Sequence, residues 1–143
     1  MWVALTLIAC GSDQELVGMD VFVEEGRVHL AWGDGPVSEL TVSDAARPVD
    51  EIREGRPIWS VSCEGGDAFS PNPSTCLGAE LAYGDLPDGA VETLEPGDLV
   101  DGNPYWAVAT GFDEDRDQPY FRADVLFRYR GDHVVVLVDG LED

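Results

Sequence analysis

From Val21 onward the chain is cut into short apolar segments by clusters of Gly, Pro and Asp. This punctuation constrains the fold more than any other feature. A helix needs an apolar stripe sustained over three or more turns, and these segments are too short to carry one. Short strands separated at intervals by turn residues point to an all-β sandwich or barrel. The nearest approach to a helix is residues 48–53, where Pro48 suits the first position of a single turn.

The segments differ in quality. Residues 19–23 make a first strand. In residues 27–32, Val28, Leu30 and Trp32 fall on one face and His29 and Ala31 on the other, the period-two alternation of a half-buried strand. Gly33-Asp34-Gly35-Pro36 turns the chain into a strand over 37–42, and a polar connection covers 44–55. A strand over 57–63 carries Ile58, Trp59 and Val61. A weak strand is expected at 80–83 and a short edge strand at 91–94. At the end, Phe121, Ala123, Val125, Phe127 and Tyr129 alternate with mostly polar partners. Gly131-Asp132 then makes a hairpin turn, where Gly suits a positive φ, and residues 133–138 return as a β-branched strand.

Residues 99–110 carry the sharpest fold signal. Tyr105, Ala107 and Ala109 alternate with Trp106, Val108 and Thr110, and Leu99 precedes Tyr105 by six residues with Gly102 between. This resembles the tyrosine corner of fibronectin type III and related immunoglobulin-like domains, in which a tyrosine hydroxyl bonds back to the corner before its strand. Val28-x-Leu30-x-Trp32 is similar to the second strand of those domains. The resemblance implies a single immunoglobulin-like β-sandwich over residues 19–143. Trp32, Leu99 and Tyr105 would mark its core, and a C-terminal hairpin would be extra. The stretch from Trp32 to Tyr105 is longer than such a domain needs.

At the front, an apolar run from Trp2 to Ile8 ends in Ala9-Cys10-Gly11. This is the shape of a secretory core followed by a processing site, and it resembles the lipobox of bacterial lipoproteins. The resemblance implies a signal peptide over 1–9, lipid on Cys10, a short tether over 10–18, and a membrane anchor made of several acyl chains, which hold far better than one. Gly11 and Ser12 follow the cysteine without the Asp of inner-membrane retention, so the outer membrane is the expected destination. The order of lipobox, sandwich and the turn Tyr83-Gly84-Asp85-Leu86-Pro87-Asp88-Gly89-Ala90 is also similar to a group of bacterial lipoproteins without an assigned activity. If Cys10 carries lipid, Cys63 and Cys76 remain as a pair around a loop rich in Gly, Pro and Ser. A disulfide there fits an oxidising compartment.

The formal charge is -21, and all eight basic residues are arginine. Such a surface repels nucleic acid and anionic headgroups, so nucleic acid is excluded as a partner and the membrane must be held covalently. An envelope protein or a polysaccharide fits better.

Four motifs carry candidate chemistry. Asp113, Asp115 and Asp117 alternate, and Asp124 stands at the twelfth position, as in a calcium loop. However, Gln118 sits where that loop wants glycine and Asp replaces its final Glu. Arg130-Gly131-Asp132 spells an adhesion tripeptide but is also what a tight hairpin turn demands. A hydrolase needs a nucleophile with an oriented base. His29 and His133, the two histidines, fall on a polar strand face and beside a turn, and no G-x-S-x-G or H-E-x-x-H occurs. Trp106 lies opposite the inferred core face and is expected to be covered on both sides. The reading is a non-catalytic envelope interaction or structural module with no cofactor. A calcium-binding sandwich is the alternative, and a small hydrolase comes after it.

Overall fold

The computed structural model describes residues 14–33, 35–46, 55–64, 76–112 and 120–137, with residues 14–17 and Phe112 described as backbone only. Their strands, in order, are β1 (Gln14–Gly18), β2 (Asp20–Glu24), β3 (Arg27–Ala31), β4 (Glu39–Asp44), β5 (Arg56–Cys63), β6 (Glu80–Ala82), β7 (Ala90–Leu94), β8 (Pro104–Phe112), β9 (Tyr120–Tyr129) and β10 (Val134–Val136). No helix occurs among the described residues.

The strands form two sheets. One runs β1-β9-β8-β4-β5-β7 with β10 also on β9, and the other runs β2-β3-β6. Apart from the parallel β1–β9 pair, every pairing is antiparallel. The strand order is that of the expected sandwich: β2, β3 and β6 take the A, B and E places, and β4, β8 and β9 take C, F and G. The departure is β7, which leaves the β6 side and closes the far edge of β5.

Alternation dictates the packing. Val28, Leu30 and Trp32 from the small sheet meet Leu40, Val42, Trp59, Val61, Tyr105, Ala107, Ala109, Phe121 and Phe127 from the large one in a single buried cluster. β9 is inward at every odd position, as its sequence period requires. Trp59 is wholly buried, and its indole N–H has no hydrogen-bond partner among the described residues.

The tyrosine corner is present. The Tyr105 hydroxyl accepts the Val100 N–H at 2.8 Å, and Tyr105 is buried while Leu99 packs partly buried against the core. The tether expected over 10–18 gives way to sheet from Gln14 onward, where β1 pairs with the first half of β9. Backbone bonding to an open edge needs no side-chain pattern, which is why the segment reads as a polar leader. β10 occupies the second half of that same edge.

Candidate functional site

The site grows from a tight turn. β2 and β3 pair with Glu24 opposite Arg27, leaving Glu25-Gly26 as a two-residue loop with φ of 54° and 78°. Positive φ at both positions is the hairpin turn whose twist matches the strands. It sets Arg27 at the end of the small sheet. There the Arg27 Nη2 donates to the Tyr83 carbonyl at 3.0 Å and to Asp85 Oδ1 at 2.9 Å. Both side chains of that ion pair are about half exposed, so it orients more than it stabilises.

Tyr83 follows β6, and its N–H bonds to the Val28 carbonyl. Its hydroxyl reaches the connection between β7 and β8 and donates to the Gly97 carbonyl at 2.6 Å. Its ring meets Trp59 edge-on with centroids 4.9 Å apart. Burial pushes the Tyr83 phenol well above its ordinary range, and the neighbouring Tyr105 phenol adds to this. Gly97 is held in turn by its N–H on the Ile58 carbonyl. The connection from β7 to β8 is therefore fixed at Gly97 from both sheets and at Val100 by Tyr105. Further along it, Arg128 Nη1 donates to the Gly102 carbonyl, and the Gly102 N–H donates to the Tyr129 carbonyl.

Where the two sheets part at this end, a cleft of about 580 Å³ opens. Arg27 and Gly84 stand on the small-sheet side, with Pro96, Asp98 and Tyr129 on the other and Tyr83 reaching across. Polar side chains and tyrosines held on a fixed frame line this concavity, a composition that small-molecule sites share.

The residues singled out from sequence for chemistry lie elsewhere, while Leu99, singled out as a core marker, lines the cleft. Cys63 and Cys76 sit at disulfide distance, with Cα atoms 5.7 Å apart, at the opposite end of the sandwich. Cys10, Asp113, Asp115 and Asp117 lie outside the described residues. Asp124 is in β9, and its carboxylate accepts from the Trp106 indole N–H and from Arg122, both at 3.3 Å. Among the described residues no group of three His, Cys, Asp or Glu side chains is placed to hold a metal. Trp106 and Val108 are partly exposed rather than covered on both faces. The opening of that face follows from its neighbours. Trp106 faces Ser43 and Leu126, and Val108 faces Thr41 and Asp124, a mixture that a second apolar layer would not match.

His29 stacks on Phe22 and its Nδ1 meets Glu80 at 2.9 Å. His133 pairs with Asp132 beside the hairpin turn, where Gly131 has φ of 84°. The two histidines thus stand on carboxylates at separate surfaces.

Sequence reasoning passed over Arg27, Tyr83, Asp98 and Tyr129. Tyr83 was visible as the start of the Tyr-Gly-x-Leu-Pro turn. The convergence of these residues depends on the pairing of β3 with β6 and on the path of residues 95–103, which no local pattern encodes. Comparison with known proteins finds no matching family model, no matching curated protein and no matching solved structure.

Proposed function

We propose that this chain is a non-catalytic interaction module of the cell envelope. In this reading it is processed at Cys10 and held to a membrane, the outer one in a two-membrane cell, by lipid on that residue. The observation that carries the reading is the prebuilt cleft at the end of the sandwich. Its walls are tied to both sheets before any ligand arrives, so little ordering cost is left for binding. The half of the reading that concerns location rests on the Leu7-Ile8-Ala9-Cys10 motif, with the Cys63–Cys76 pair as the companion of an oxidising compartment.

Two measurements test it. Cells grown with labelled fatty acid should label the chain and find it with membranes, and Cys10→Ala should abolish both. Unchanged label and fractionation would remove the anchor. A photo-crosslinking residue at Asp98 should capture a defined envelope component, while one at Ala79, exposed at the far end of the small sheet, should not. Equal capture from both positions, or none from Asp98, would remove the cleft as the interaction site.

A further inference from the structure

We infer that the cleft takes a neutral saccharide, a deduction that rests on the interaction-module reading and gives it a ligand class. The first step is charge. A domain of formal charge -21 disfavours anionic ligands at long range. At the cleft itself, the Arg27 guanidinium stands at the rim with its side chain about half exposed. That guanidinium is neutralised by Asp85 and faces the Asp98 carboxylate, so the cleft holds both signs and offers no single charge for an ion to match. The two terms together leave neutral, polar ligands as the favoured class.

The second step is hydrogen-bonding capacity. Arg27 spends only its Nη2 on the protein, against the Tyr83 carbonyl and Asp85. Its Nη1 and Nε groups have no partner among the described residues and remain as donors in a planar fork. Asp98 supplies acceptors across the cleft, with no donor bonded to its carboxylate among the described residues. The Tyr83 hydroxyl gives its proton to Gly97, so its oxygen is left to accept. A ligand that bonds a donor fork on one side and a carboxylate on the other must itself carry groups that both accept and donate. Adjacent hydroxyls do this.

The third step is surface. Tyr129 packs partly buried against the core edge, and it lines the cleft together with Pro96, two residues with mostly apolar side chains. A pyranose has one face of C–H groups and a rim of hydroxyls, so it matches mostly apolar side chains beside a donor fork and a carboxylate. At about 580 Å³ the cleft has room for a sugar ring with its hydroxyls. This falls within the range of small-molecule sites.

The test is a glycan array probed with the full chain. The array includes neutral and anionic glycans, and the strongest hit is then titrated into isotopically labelled protein. At least one neutral glycan should bind. It should shift the backbone amides of Arg27, Gly84, Gly97 and Asp98 saturably. Arg27→Ala and Asp98→Ala should each weaken it by about tenfold, the worth of one bonded polar group. Both changes are at the surface, and unaltered melting confirms that the fold is intact. Binding to no glycan, binding only to anionic glycans, or neutral binding untouched by both variants would overturn the proposal. So would saturable shifts of the same amides with tetramethylammonium. If the array is empty while the crosslinker at Asp98 still captures an envelope protein, the module reading stands and only the ligand class falls.

Discussion

The two ends of this sandwich are built on opposite plans. At the disulfide end the chain is packed until backbones touch. A Cβ placed on Gly111 would overlap the Pro36 carbonyl oxygen, and one on Gly35 would overlap the Phe121 ring. Trp32 caps that end with its indole N–H on the Gly78 carbonyl at 2.7 Å. Ser38 bonds to Thr110, and Cys63 bonds to Ser38. The glycines that line the cleft have space. A Cβ on Gly26 would meet nothing within 4 Å, and one on Gly97 would meet Ile58 only at 3.7 Å, an ordinary contact. Order there comes from side chains instead: two tyrosine hydroxyls reach the same connection, one from each sheet. One end is closed by steric fit and a covalent link. The other is propped open by hydrogen bonds, which leaves a concavity with polar groups at its rim.

The contrast is sharpest in glycine substitutions. Gly111→Ala should destabilise by about 3 kcal/mol, because the obstacle is backbone and cannot swing aside. Gly97→Ala at the cleft end should stay within about 0.5 kcal/mol, as an exposed change without overlap does. Urea unfolding of the two variants measures the difference directly. Similar costs at both positions would erase the distinction between a packed end and a propped one.

The covalent link comes next. Cys63 and Cys76 are 13 residues apart, and closing a loop of that size is worth about 3 kcal/mol on the chain-entropy account. Much of this gain is loop entropy in the unfolded chain, which native-state strain can reduce. The cost of Cys63→Ala with Cys76→Ala should therefore fall at or below that figure. Binding at the cleft should survive, because no cleft residue touches either sulfur. A variant that melts lower yet titrates its ligand normally fits this account. Loss of binding at full stability would tie the two ends together and contradict it.

The two ends were unequally legible in the sequence. The alternation in residues 27–32 and 121–129 named the inward faces correctly because a period of two is a local property. Tyr105 was legible for a similar reason: Val100, its hydroxyl's partner, is only five residues away. Tyr83 makes an equivalent bond to Gly97, fourteen residues off and on the connection between β7 and β8. No spacing rule links such a pair. Arg27 and Tyr83 are 56 residues apart and meet only because β3 pairs with β6. β1 was missed because an edge strand is held by backbone groups, which every residue carries. Trp106 was expected to be covered on the strength of its apolar neighbour Val108. The cross-strand partners Thr41, Ser43 and Asp124, which make that face mixed, come from other strands.

The tyrosines should also separate the ends by mutation. Tyr105→Phe leaves the Val100 N–H without its partner beside a buried ring, and should cost about 1–2 kcal/mol. Tyr83→Phe takes a donor from the carbonyl of Gly97, an exposed residue that water can reach, and should cost about 0.5 kcal/mol. Thermal melts rank them. A larger loss at Tyr83 would mean that the cleft wall, not the corner, carries the strain of that connection.

The smallest effect expected at neutral pH becomes visible in alkali. Burial raises both phenols above their ordinary value of 10.0, Tyr83 with help from Tyr105, and Tyr105 in spite of the Val100 N–H bond, which opposes the rise. An unfolded chain loses these protons near pH 10, while the folded chain holds them longer. Above that point the unfolded state binds fewer protons, so stability falls as pH increases. The contribution is fully present below pH 10 and is lost as pH rises through the folded values. The melting midpoint should be flat with respect to these two groups at neutral pH and should drop above about pH 10, with Tyr83→Phe removing more of the slope than Tyr105→Phe. Tyr83 is the phenol shifted far enough to matter most, because its ring is partly buried edge-on against Trp59 while its hydroxyl stays fastened to the rim of the cleft. If Tyr105→Phe flattened the alkaline slope more, the cleft wall would be the better solvated of the two, and Tyr83 would be a surface group rather than the inner prop of an open end.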